Sequence, residues 1–120
     1  MRIVIIGAVA GGASAAARAR RLSEEAEITL IERGEAPSFA NCGLPYYIGG
    51  VIENRDKLLV APAQRLIDRY RLDVRTHTVP AAVHYQEGRF LVETAAGSLA
   101  ADRLLVATGR RANTAGLGLA

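Results

Sequence analysis

The stretch Arg2-Ile3-Val4-Ile5-Ile6-Gly7-Ala8-Val9-Ala10-Gly11-Gly12 decides the fold. Residues 2–6 are a short apolar, β-branched run closed by Gly7, the pattern of a strand buried in a parallel sheet. Beyond the glycine-rich turn, residues 13–22 (Ala-Ser-Ala-Ala-Ala-Arg-Ala-Arg-Arg-Leu) are strong helix formers. Strand, glycine turn and helix make the opening of a dinucleotide-binding βαβ unit. Gly7 permits the tight turn. Gly11 and Gly12 let the backbone approach a pyrophosphate and let the helix pack close to the sheet, while the helix N-terminus offers N–H donors to the phosphates. The strict G-x-G-x-x-G spacing has a glycine where this chain has Val9, so a turn used only for packing is the alternative.

The next element points the same way. Glu27-Ile28-Thr29-Leu30-Ile31-Glu32 reads as a second strand that ends in an acid, twenty residues after Gly12. An acid there can accept both hydroxyls of an adenosine ribose; otherwise it is a solvated strand end. Arg18 and Arg21, three residues apart, share one helix face, either as a solvated basic face or as a binding one.

Further along, Pro62 opens a helix over roughly 63–71, with Leu66, Ile67 and Tyr70 on one face, and residues 72–76 read as a strand. The pattern then turns to period two. Residues 82–85 and 89–94 flank Gln86-Glu87-Gly88 as a hairpin, and a short strand follows near 98–101. Residues 103–107 form an apolar parallel-type strand ending at Thr108-Gly109, and the tail from Arg110 to Ala120 reads as loop. A parallel sheet from strands near 2–6, 27–32, 73–76 and 103–107 is expected, with a β-meander within about 78–101 branching from it.

Ser38-Phe39-Ala40-Asn41-Cys42-Gly43-Leu44-Pro45-Tyr46-Tyr47-Ile48-Gly49-Gly50 holds the only cysteine. Asn41 is a good helix N-cap, and Cys42 would then lie in the first turn of a short helix contained in 42–50 and ended by Gly49-Gly50, where the positive end of the dipole favours thiolate. The plainer alternative is a small buried hydrophobe. His77 and His84 are isolated from acids and from Cys42 in sequence and read as surface or strand residues. No metal-ligand spacing, internal repeat or Ser/His/Asp arrangement is present.

At 120 residues the chain is one domain at most. Half of it is hydrophobic and only 5% aromatic, which suits tightly packed α/β layers. The net charge of +3 comes almost wholly from arginine, Lys57 being the only lysine. The charge is spread out, with no basic run interleaved with aromatics, which argues against a nucleic-acid partner; arginine does favour phosphate ligands. One cysteine cannot form an internal disulfide. No apolar run reaches the roughly 20 residues a membrane span needs, and the chain opens on a strand without a signal peptide. A reducing cytoplasm is the default expectation.

Residues 1–60 resemble the start of the coenzyme A-disulfide reductases, a single-cysteine branch of the pyridine nucleotide-disulfide oxidoreductases. The resemblance is carried by Gly-Ala-Val-Ala-Gly-Gly-Ala-Ser at 7–14, Arg-Arg-Leu at 20–22, Glu32, and Ser-Phe-Ala-Asn-Cys-Gly-Leu-Pro-Tyr-Tyr-Ile-Gly at 38–49. It implies a Rossmann-like FAD/NAD(P)-binding fold, with an antiparallel β-meander inserted before the chain returns to the sheet at Ala107-Thr108-Gly109. It implies FAD at Gly7, Ala10, Gly11, Gly12, Glu32, Arg33, Asn41, Thr108 and Gly109. By the same resemblance Cys42 sits beside the flavin and alternates between thiol and a mixed disulfide with coenzyme A, with Ser14, Arg18, Arg21, Ser38 and Asn41 facing the coenzyme A. Two arginines on one face suit a polyanionic substrate. Related NADH oxidases and peroxidases carry a histidine where this chain has Ala10, which favours the disulfide reductase reading.

Two departures from the family pattern follow. Residues 102–114 resemble the later of the family's two Ala-Thr-Gly strands, as in mercuric reductase, which suggests a chain joined from roughly 1–80 of the front and 83–120 from beyond the NAD(P)H domain. The chain also reads as truncated. It has no second glycine turn for the NAD(P)H that serves as reductant in the full-length family, no Gly-Asp motif, and no dimerisation domain, and a homodimer is left open. The function expected is that of the FAD-binding part of a flavin-dependent disulfide reductase. The alternatives are a non-catalytic module that binds FAD or another adenine nucleotide, and a recombined product without activity.

Overall fold

The computed structural model describes residues 1–110. Strand β1 (Arg2–Ile6) leads through the glycine turn into helix α1 (Gly11–Leu22) and strand β2 (Glu27–Ile31). A 3-10 turn at Asn41–Gly43 runs into the short helix α2 (Leu44–Ile48), and a second 3-10 turn spans Arg55–Leu58. Helix α3 (Ala63–Tyr70) precedes β3 (Asp73–Arg75), the strands β4 (Pro80–Gln86), β5 (Arg89–Thr94) and β6 (Gly97–Ala101), and finally β7 (Arg103–Val106). The expected loop from Arg110 onward lies, beyond that residue, outside the described residues.

Four strands form a parallel sheet in the order β3-β2-β1-β7, and β4-β5-β6 form an antiparallel meander. Strand β1 pairs with β2 from Arg2–Glu27 to Ile6–Ile31, as the βαβ reading requires. The fold is thus α/β and Rossmann-like, with strand ends within a residue or two of those expected. Its central run is apolar throughout because both faces of the sheet are covered. On one face Ile5, Ile28 and Leu30 pack with Ala8, Ala16, Leu66 and Leu72 under α1 and α3. On the other, Val4, Ile6 and Ile31 pack against Val92 and Ala101 of the meander. The hairpin between β4 and β5 turns at Glu87 and Gly88, both with positive φ (50° and 80°), the geometry whose twist matches the flanking strands.

One local expectation changes, and two further features carried no sequence signal. The helical face of α3 is Leu66 with Tyr70; Ile67 is exposed, one position round the helix from the contact. The 3-10 turn at Arg55–Leu58 is started by the Asn54 side chain accepting from the Asp56 N–H at 2.8 Å. Arg20 is buried, unlike its neighbours Arg18 and Arg21. Its guanidinium donates to the carbonyls of Tyr70 (2.8 Å), Arg71 (3.0 Å), Ser23 (3.3 Å) and Glu24 (2.7 Å). These carbonyls lie at and just past the ends of α1 and α3, so one cation ties the two C-termini together.

At the amino ends of the strands, Asp102 accepts the Arg2 backbone N–H at 2.7 Å and lies 3.7 Å from the Arg89 guanidinium. The backbone hydrogen bond, helped by the nearby positive charges and opposed by desolvation, holds its carboxyl below the usual carboxylate range. A carboxyl lowered by folding stabilises the fold above its unfolded pKa, and that contribution is lost as the pH falls through the folded value. Asp102→Asn is therefore expected to make stability less sensitive to acid. Urea unfolding midpoints between pH 3 and 7 check this: the gap between wild type and variant should narrow toward pH 3.

Candidate functional site

Strand order reverses on either side of β1, so the glycine turn stands at the carboxyl ends of the strands at a topological switch point, where open α/β sheets bind ligands. Two glycines there are fixed by packing. Gly7 has φ +98°, and a Cβ on it would collide with the Ala107 carbonyl. A Cβ on Gly12 would collide with the Gly7 carbonyl and lie 3.1 Å from Ile5 Cγ2. Gly11 is different: it is exposed, and a Cβ on it would meet only Ala107 Cβ at 3.7 Å. Helix α1 begins at Gly11, so the tasks expected of Gly11 and Gly12 together are divided, with Gly12 packing the helix tightly and Gly11 exposed, in ordinary contact range of Ala107. The Ala10 N-cap makes no side-chain cap, and the first turn holds no acid. The leading N–H groups of a twelve-residue helix are left for an anion.

Glu32 is buried just beyond β2. Its Oε2 accepts the Ala8 N–H at 2.8 Å and its Oε1 accepts the Gly34 N–H at 2.9 Å. It is therefore not a solvated strand end. An ionised carboxylate has about four acceptor positions, so two remain for the hydroxyls of a ribose. An exposed Gly11, an uncapped helix and an acid with spare acceptors fit a dinucleotide such as FAD. Ala107-Thr108-Gly109 arrives on the other side: the Ala107 N–H donates to Ile6 O at 2.8 Å, and Gly109 has φ +85°. Ala10, Arg33, Thr108 and Gly109 are exposed around this turn.

The cysteine segment is tied to the same turn. The Ser38 N–H donates to Ala8 O at 2.7 Å, and the Ala40 N–H to Leu58 O at 2.8 Å, beside a bridge between Phe39 and Leu59. Ser38 itself holds φ +57°. Cys42 is a free, exposed thiol, not the small buried hydrophobe of the plainer reading.

The expected Asn41 cap is not made. Asn41 opens the 3-10 turn, its N–H closing onto Phe39 O at 3.1 Å, while α2 starts at Leu44 with Gly43 as N-cap. Pro45 sets that start, since its fixed φ suits a first turn and its missing N–H costs nothing there. Cys42 therefore precedes the α-helix rather than occupying its first turn, and a five-residue helix has little dipole to offer it.

Ser14, Arg18 and Arg21 are exposed at i, i+4 and i+7 along α1, one stripe of the helix. Among the described residues neither arginine takes part in an ion pair. Of the two histidines, His77 meets the site only through its backbone, beside Gly34 and Glu32, and His84 lies apart from it. The His77 N–H donates to Gly34 O at 3.1 Å, and His84 stands 3.3 Å from Glu93 on the exposed meander. Among the described residues no three His, Cys, Asp or Glu side chains cluster as a metal site, and no helix is long and apolar enough to cross a membrane. A groove of about 430 Å³ beside the cysteine segment, with the Arg55 guanidinium 5.7 Å from the centre of the Phe39 ring, had no sequence signal, because its walls come from two unrelated loops.

Comparison with known proteins agrees with this geometry. The pyridine nucleotide-disulphide oxidoreductase family matches residues 1–119. A coenzyme A disulfide reductase of Staphylococcus epidermidis is 49% identical over 76 residues, covering 63% of this chain and 17% of the relative. One from Staphylococcus aureus is 43% identical over 83 residues, covering 69% and 19%. Among solved structures, reduced Bacillus anthracis CoADR-RHD superposes with a TM-score of 0.82 at 46% identity, over 92% of this chain and 20% of that one. The NAD-dependent persulfide reductase from A. fulgidus gives 0.83 at 31% identity, over 97% and 23%. The chain spans about a fifth of the length of these proteins.

Proposed function

The chain belongs to the pyridine nucleotide-disulphide oxidoreductase family, and on that premise we propose that it forms the FAD-binding part of an enzyme that reduces coenzyme A disulfide, or a related small disulfide or persulfide, through Cys42. The observation that carries this reading is the bond from Ser38 N–H to Ala8 O, which joins the cysteine segment to the dinucleotide turn. NAD(P)H is the reductant of the whole enzyme, and a homodimer stays open as its assembly. A reducing cytoplasm suits a lone exposed thiol.

The residues divide the work. The N–H groups at the start of α1 hold the pyrophosphate, Glu32 takes the adenosine ribose, and Ala10, Arg33, Asn41, Thr108 and Gly109 border the cofactor. When bound, a reduced flavin would supply the electron pair that cleaves the disulfide between Cys42 and coenzyme A, leaving Cys42 as thiolate and releasing that coenzyme A as a thiolate that takes a proton from water. Cys42 as thiolate attacks one sulfur of the substrate disulfide. An S–S bond forms between Cys42 and one coenzyme A, the original S–S bond breaks, and the second coenzyme A leaves as a thiolate that takes a proton from water. Ser14, Arg18, Arg21, Ser38 and Asn41 orient the polyanionic substrate, the arginines through its phosphates.

Titrating the purified chain with FAD tests the cofactor assignment. Bound flavin should appear as a shifted, structured absorbance band. Glu32→Ala should weaken binding by about 1–3 kcal/mol, since the ribose hydroxyls lose their acceptor. An unchanged affinity would remove Glu32 from the site. Bound FAD without any coenzyme A adduct on Cys42 would favour a binding-only module.

A further inference from the structure

We infer that Glu32 is a positioning residue for the cysteine segment, acting through the backbone of Ala8 before any cofactor is present. Ala8 has no exposed surface, so neither its N–H nor its C=O can turn to water, and each is costly to leave unpaired. Its N–H donates to Glu32 Oε2 at 2.8 Å, and its C=O accepts from the Ser38 N–H at 2.7 Å. The carboxylate is kept from rotating by its other oxygen, on the Gly34 N–H at 2.9 Å. Glu32 thus fixes the orientation of the one residue that holds Ser38.

Ser38 needs that hold. Its φ of +57° is a left-handed conformation, which a residue with a Cβ keeps only where its surroundings enforce it. Four residues on, Cys42 is anchored from the other side by the Ala40 N–H on Leu58 O at 2.8 Å. The segment has two moorings, and Glu32 controls one of them. A carboxylate is required rather than any polar group of similar length, because both facing groups are N–H donors. A glutamine would present an NH₂ to one of them.

Hydrogen exchange on the full chain, without cofactor, tests this in wild type, Glu32→Gln, Glu32→Ala and Ile28→Val. Ile28 is buried in β2, the strand that leads into Glu32, so trimming it loosens the core without touching the carboxylate. The Ser38 amide should exchange about three- to tenfold faster in Glu32→Gln and faster still in Glu32→Ala, with Ile28→Val close to wild type. If Glu32→Ala does not fold, Glu32→Gln decides.

A second readout rests on the function proposed above. It is the rate of Cys42 exchange with coenzyme A disulfide divided by its rate of alkylation by iodoacetamide. That ratio should fall severalfold in both Glu32 variants and stay unchanged in Ile28→Val. Ser38 protection in Glu32→Gln equal to that in Ile28→Val would overturn the inference. A wild-type chain that forms no coenzyme A adduct would overturn the reading of Cys42 instead, while the Ser38 amide would still decide on Glu32.

Discussion

Replacing Gly12 with alanine is expected to destabilise the chain by about 3 kcal/mol or more, the upper part of the range for overpacking a close contact. The added methyl would run into the Gly7 carbonyl and crowd Ile5 Cγ2. The first obstacle is backbone, so no rotamer change relieves it. Helix α1 would have to lift from β1, exposing Ala13 and Ala16, which are buried beneath it. A domain of this size has about 5–15 kcal/mol of net stability, so the loss is a large share of the whole. The neighbouring Gly11→Ala is expected to behave oppositely. Its Cβ meets nothing closer than 3.7 Å, and alanine is the better helix former by up to about 1 kcal/mol. Stability should be kept or slightly raised, while FAD affinity falls if a phosphate uses that space. Urea unfolding of the two variants side by side checks the contrast. A Gly12→Ala chain as stable as wild type would mean that the turn and helix are not in close contact.

The same two glycines show how much of the molecule could be read before its structure was known. Residues 3–6 and 28–31 are apolar as a sheet covered on both faces demands, with Thr29 the one polar exception, so their strand character followed from composition. The glycine turn was legible because few residue types fit it. Which of Gly11 and Gly12 packs and which faces outward was not, because that depends on the angle at which α1 meets the sheet. Glu32 was legible by its distance from the turn. Its bonds to Ala8 and Gly34 were hidden, since backbone N–H groups carry no sequence signature. Asn41 misled for a related reason: capping propensity is a local preference, and Pro45 together with Gly43 sets the helix start two residues later. Arg20 and Arg21 are chemically identical neighbours. One is buried against four carbonyls and the other is exposed, a division made by where α3 ends.

Cys42→Ser is expected to abolish the coenzyme A adduct completely, because Cys42 is the only thiol in the chain and serine cannot take its place in thiol–disulfide exchange. Intact mass after incubation with coenzyme A disulfide reads this directly. The more discriminating variant is the double reversal Arg18→Glu with Arg21→Glu. Both side chains are exposed along the stripe that begins at Ser14, so reversing them leaves the core untouched. If that stripe attracts the substrate's phosphates, exchange with coenzyme A disulfide should slow by roughly tenfold at low salt, and the gap should shrink as salt screens the charges. Exchange with a neutral disulfide of similar reactivity should not change, since that substrate brings no phosphates for the arginines to meet. An equal slowing with both disulfides would show that the arginines act on the conformation of the cysteine segment rather than on the substrate. No slowing with either would return Arg18 and Arg21 to the status of a solvated helix face.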